Sequence, residues 1–195
     1  MTECILCNKK IKFARKCPTL NEVICSTCCG SKRESEIQCT NSCKHFVEGR
    51  LKENKKQIMQ IVKESFNTES EDIFRDLGII GFIAPFELTL FERYYNHIDI
   101  TDEFISDCYT KIYYFLEGKW SIYTFNEIEK DIFDVFNRSA INTEMPIESQ
   151  KLILLRLIKS VDSMTGGRFG NRMYLELLRH KFTGTGIVSK VMAEE

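Results

Sequence analysis

Cys4 and Cys7, Cys25 and Cys28, and Cys39 and Cys43 form three close pairs, and Cys17 and Cys29 stand between them. Eight of the nine cysteines therefore fall in the first 43 residues, spaced Cys4-x2-Cys7-x9-Cys17-x7-Cys25-x2-Cys28-Cys29-x9-Cys39-x3-Cys43. A short knuckle lets two thiolates of one turn occupy two corners of a tetrahedron while a distant pair supplies the others, so this pattern predicts zinc. Eight sulfurs make two closed sites, and the expected cofactor is two structural zinc ions. Cys28 and Cys29 are adjacent, and neighbouring side chains diverge, so they more easily serve different ions. The preferred assignment is interleaved, with Cys4, Cys7, Cys25 and Cys28 at one ion and Cys17, Cys29, Cys39 and Cys43 at the other. Sequential ligation, four cysteines then four, is the alternative, and His45 is an alternative ligand at the second site. A disulfide framework needs an oxidising compartment that nothing in the sequence supports. Iron–sulfur ligation is chemically allowed, but ordered CxxC pairs favour zinc. A catalytic zinc needs an open position, which eight cysteines for two ions do not leave.

On Cys17-Pro18, Cys25-Ser26-Thr27-Cys28 and Cys39-x3-Cys43, the head resembles the interleaved two-zinc fingers of the HIT and MYND type, with treble-clef or cross-brace order. The resemblance implies two ions bound in cross-brace order. Those fingers have a further ligand two residues after the Cys-Pro proline, where this chain has Leu20, so Cys29 has to substitute. The run Ile24-Cys25-Ser26-Thr27-Cys28-Cys29-Gly30-Ser31-Lys32-Arg33 is also similar to Cys-rich heads that precede helical regions in uncharacterised bacterial proteins. That likeness implies no activity, and it covers residues 1–46 at most.

A head of this size cannot bury a hydrophobic core, whereas the remainder of a 195-residue chain with 43% apolar and 28% charged residues can. The expected domains are 1–46, a Cys-rich zinc finger, and 47–195, a helical domain. Residues 1–56 hold 12 Lys and Arg against 6 Asp and Glu, and the rest holds 15 against 22. Much of the head's basicity balances the charge of metal-bound thiolates. Within the body, 57–150 is strongly acidic, with 18 acidic against 7 basic residues, and 151–190 is basic, with 8 against 2. No apolar stretch reaches the roughly 20 residues that span a bilayer, and the amino terminus shows no secretory pattern. The expected location is the cytoplasm, with no membrane partner.

Beyond Cys43 the apolar residues repeat at helical intervals. The first helix is expected over 46–66, with Phe46, Val47, Leu51, Ile58, Ile61 and Val62 on one face. A segment over 69–77 ends at Gly78, an isolated strand is allowed over 79–84, and Pro85 opens a helix that runs to about His97. Thr101 caps the next helix, which Gly118 ends. Thr124 and Glu127 have capping-box spacing ahead of a helix to Arg138. Pro146 opens one through Val161, and Asn171 caps the last, over 173–182. The expected fold is mainly α: a small two-zinc finger followed by an all-α bundle of six or seven helices.

The body carries little catalytic signal. Glu127, Glu129, Asp131 and Asp134 lie at helical spacing without the histidines of a di-iron site, His97 and His180 are isolated, and Cys108 sits on an apolar face. Gly166, Gly167, Arg168, Gly170, Asn171 and Arg172 precede a helix, so amide groups and guanidinium donors there can meet a phosphate. A plain helix connection fits the same residues, and no Walker pattern is present. Arg168, Asn171 and Arg172 are thus the candidate anion-binding residues. The chain is expected not to be an enzyme but a zinc-binding interaction protein, with Lys9, Lys10, Lys12, Lys32 and Arg33 displayed by the head and a protein partner or second copy met by the bundle. The alternative is a nucleic-acid binder using these residues and the basic 151–181 stretch. A phosphate-ester or nucleotide enzyme at 166–172 is the third reading. The basic stretch can equally pair with the acidic middle.

Overall fold

The computed structural model describes residues 2–65, 76–165 and 172–183. It divides into two compact units, Met1–Glu53 and Asn54–Glu195. The head pairs strand β1 (Arg15–Cys17) antiparallel with β2 (Glu22–Ile24), with Arg15 opposite Ile24 and Cys17 opposite Glu22. The short helix α1 (Ser26–Ser31) follows directly. Then comes α2 (Lys44–Ser65), inside which the two units part. Within the first unit Phe46 is buried and lines one pocket with Cys43.

The second unit is a helical bundle of α3 (Leu77–Tyr94), α4 (Asp102–Leu116), α5 (Glu127–Asn142), α6 (Ile147–Thr165) and α7 (Met173–Thr183), together with the end of α2. Helix α4 is central and packs on α5, α6 and α7, while α3 packs on α5 and α7. Its Cys108, Tyr109 and Ile112 are fully buried. Phe136 of α5 meets Phe82 and Phe86 of α3 edge to face, at 5.0 and 5.5 Å between ring centroids. No described helix is long and apolar enough to cross a membrane.

Two local expectations fail in instructive ways. Gly78 does not end a helix and 79–84 is not a strand, because α3 runs unbroken from Leu77 through Gly78, Gly81 and Pro85. The Asp76 carboxylate caps it, accepting from the Gly78 and Ile79 amides at 2.7 and 3.3 Å. An interior proline costs about 3 kcal/mol. Burying Phe82, Ile83, Phe86 and Leu90 on one face gains roughly 1.5–3 kcal/mol each, so packing wins.

The second failure is at α5, where the capping box is Asn126 with Glu129 and not Thr124 with Glu127. Thr124 is spent in the preceding 3-10 turn, its hydroxyl donating to the Ser121 carbonyl at 2.6 Å. Asn126→Ala should therefore lower stability by about 1 kcal/mol, read by thermal melting, while Thr124→Ala should stay within about 0.5 kcal/mol. The reverse order would contradict this assignment of the cap.

Candidate metal centre

The first cysteine pair lies on a tight knuckle. The Cys4 amide donates to the Lys9 carbonyl at 2.9 Å and the Asn8 amide to the Cys4 carbonyl at 2.7 Å. Asn8 takes a positive φ of 55°, a conformation asparagine tolerates better than most residues. The knuckle is tied to the hairpin through the Ile5 amide and the Val23 carbonyl. Strand β2 ends at Ile24, which delivers Cys25 to the N-cap of α1 and Cys28 to its first turn. The Cys25 amide donates to the Cys4 sulfur and the Cys28 amide to the Cys25 sulfur, each at 3.3 Å.

The result is a closed set of four thiols. The ligand atoms of Cys4, Cys7, Cys25 and Cys28 all lie within 4.8 Å of one another, and Cys7 Sγ stands 3.9 Å from Cys25 Sγ. A tetrahedron with Zn–S bonds of about 2.3 Å has edges of about 3.8 Å, whereas a disulfide needs about 2.05 Å. The donor set thus fits a tetrahedral divalent ion. This is the first group of the interleaved assignment, and Cys17, which sequential ligation would include, is not in it. Among the described residues these four are the group that closes to metal-binding spacing.

The thiols are already electrostatically differentiated. Burial opposes charge on Cys4, but amide donors from Cys25, Leu6 and Cys7 outweigh it and bring its pKa to about 6. Cys25 is lowered chiefly by the Cys28 amide. Cys28 is pushed up to about 12, first because its thiol hydrogen-bonds to Cys25 and then by burial. Backbone amides thus favour charge on Cys4 and Cys25, and a divalent ion held by Cys4, Cys7, Cys25 and Cys28 would require all four as thiolates.

The other four head cysteines also come together, more loosely. Cys17 ends β1, Cys29 follows Cys28 on α1, and Cys39 and Cys43 flank a turn closed by the Cys43 amide and the Thr40 carbonyl. All four line one pocket with Arg15, Ile24, Arg33, Ile37 and Phe46. Burial, followed by the charges of Cys43, Cys17 and Cys29, raises the Cys39 thiol. Adjacent Cys28 and Cys29 thus face different groups. His45 is not among the residues lining this pocket, and its Nδ1 lies 3.6 Å from the Glu48 carboxylate. Leu20, at the position where the resembled fingers carry a ligand, is partly buried against the small head core.

Of the remaining candidates, Arg168 and Asn171 lie outside the described residues. Arg172 donates through Nε to the Ile100 carbonyl at 3.1 Å and through Nη2 to the carbonyls of Tyr94 and Tyr95, at the end of α3. The start of α7 is met by the buried Asp102 carboxylate, which accepts from the Tyr174 amide at 3.1 Å. The Asp102 side chain already takes up an amide at the helix end that an anion could have met, as a plain helix connection allows. Two lysines of the basic stretch pair with the acidic middle: Lys151 meets Glu117 and Glu148, and Lys181 meets Glu87. Burial drives the Cys108 thiol well above its ordinary range. Sequence reasoning missed Arg33 as a pocket residue and missed the buried chain in which the Tyr174 hydroxyl donates to Glu87 Oε1 at 2.7 Å. Partners 87 residues apart leave no local spacing signal.

Compared with known proteins, the chain matches no family model, no curated protein and no solved structure.

Proposed function

We propose that this chain is a non-catalytic interaction protein whose head is built on two structural zinc ions, one at Cys4, Cys7, Cys25 and Cys28 and one at Cys17, Cys29, Cys39 and Cys43. The observation that carries the reading is the closed four-thiol cluster. Four thiolates complete a tetrahedral ion and leave no position for a substrate or an activated water, so the chemistry of this donor set is structural. The knuckle–hairpin–helix order around it is that of a treble clef, and the second pocket gathers the other four cysteines. The phosphate-enzyme reading gains nothing from Arg172, which serves backbone carbonyls.

One observation favours nucleic acid as a second reading. Lys9, Lys10 and Lys12 are exposed on the segment that also carries Phe13, Lys16 is exposed on the following strand β1, and the Phe13 ring is 85% exposed. Against it, Lys32 is paired with Glu36 and Arg33 is turned inward. Titrating the zinc-loaded protein with mixed single-stranded DNA and RNA at several salt concentrations tests the choice. A protein-interaction head should bind no more tightly than about 10⁻⁴ M at physiological salt. Micromolar affinity with a steep negative salt slope would overturn it in favour of nucleic acid.

A further inference from the structure

We infer that Arg33 is the charge-balancing cap of the second metal centre, its guanidinium donating to the thiolates of the Cys17, Cys29, Cys39 and Cys43 pocket. The inference rests on the two-ion reading above. Four thiolates around a divalent ion carry a net charge of −2, and such a centre has to be neutralised by nearby donors. Backbone donors serve both centres, the Glu34 amide reaching Cys39 at the second, but they are denser at the first. At the first, backbone amides of the knuckle and of α1 point at the sulfurs. The second is walled by Ile24, Ile37 and Phe46, which offer no polar side chain, and two cations, Arg15 and Arg33, line it beside them; of the two, it is Arg33 that has a buried nitrogen without a partner.

The guanidinium is fixed and yet incompletely satisfied. Its Nη2 donates to the His45 carbonyl in the first turn of α2, at 3.2 Å. Its Nε is buried without a hydrogen-bond partner. A buried donor left unmade costs about 1–3 kcal/mol, more on a charged group, so this nitrogen marks where an acceptor belongs. The cysteine sulfurs lining the same pocket, thiolates once a metal binds, are the acceptors at hand. Gly49 completes the seat: a Cβ there would run into the Arg33 guanidinium, so the absence of a side chain at 49 makes room for it.

The test uses full-length zinc-loaded protein and its cobalt(II)-substituted form, with Arg33→Met, Arg33→Lys and Gly49→Ala. The last keeps the arginine but displaces it and is the gentler change, so it holds the test open if Arg33→Met does not fold. Competition with a chromogenic chelator should show two ions in the parent protein. In Arg33→Met and Gly49→Ala, one of the two should bind about 10–100-fold more weakly while the other is unchanged, with Arg33→Lys nearer the parent. In the cobalt form, losing an N–H donor to sulfur should move that centre's sulfur-to-metal charge-transfer band to lower energy, which a purely structural role would not do. Two ions whose affinities and band are unaltered in both variants would overturn the arginine cap and leave the two-ion reading standing, as would equal weakening of both ions. A single ion in the parent protein would overturn the two-ion reading itself.

Discussion

Stripping the metal with a chelator, or replacing Cys28 with serine, is expected to unfold the head and leave the α3–α7 bundle helical. Six residues form the buried centre of the head, and four of them are cysteines, with only Ile24 and Ile37 as ordinary apolar side chains. Units below about 70 residues with so small an apolar core need metal or disulfide staples, and structural zinc contributes about 10–16 kcal/mol to finger folding near neutral pH. No other single change in this chain should have so large a local effect. Metal analysis of the parent protein should return two zinc ions. Hydrogen exchange after chelation should lose protection across β1, β2 and α1 while α4 keeps it. The first turns of α2 should loosen as well, since buried Phe46 lines the second pocket and the Phe46 and Val47 amides donate to the Cys43 carbonyl. Unchanged protection over 15–31 in metal-free protein would sink the structural role of zinc, and equal protection over 46–53 would sink the packed start of α2.

In the bundle, the largest effect is expected from parting Lys111 and Glu129. Lys111 Nζ and Glu129 Oε1 are 2.6 Å apart, and both side chains are more than nine-tenths buried. Glu129 Oε2 also accepts from the Asn126 amide at 2.9 Å, so one carboxylate both holds the lysine and closes the capping box of α5. Removing one partner strands the other charge in a dry interior, at a cost of about 3–5 kcal/mol. Lys111→Met should therefore destabilise by about that amount, read by urea unfolding. Trp120 is the natural probe, as the chain's single tryptophan and a buried residue of this unit. The double change Lys111→Met with Glu129→Gln should cost clearly less than the two single changes added together, because neither charge is then left alone. A loss below about 1 kcal/mol for Lys111→Met, or full additivity, would show that the pair is not coupled.

Much of this protein is determined by local chemistry and can be read from residue order. Close cysteine spacing dictates a knuckle, and the adjacency of Cys28 and Cys29 already separates them between two groups, because neighbouring side chains on a backbone must diverge. Thr101 caps α4, accepting from the Phe104 amide, and the glycine at 118 takes the positive φ that follows the helix. These signals work because both partners lie within one turn of chain. The tertiary structure decides wherever a local preference meets a larger nonlocal term. Helix α3 crosses Pro85 because four buried side chains outweigh one lost hydrogen bond. The basic stretch after residue 150 reads as a charged surface until Lys151 and Lys181 are seen to meet Glu117 and Glu87 on other helices. Arg33 reads as one more surface cation of the head until folding lays it against Gly49 and the second cysteine pocket. Charge and size are written in the sequence, but which opposite charge or sulfur a long side chain reaches depends on distances that exist only after the chain has packed.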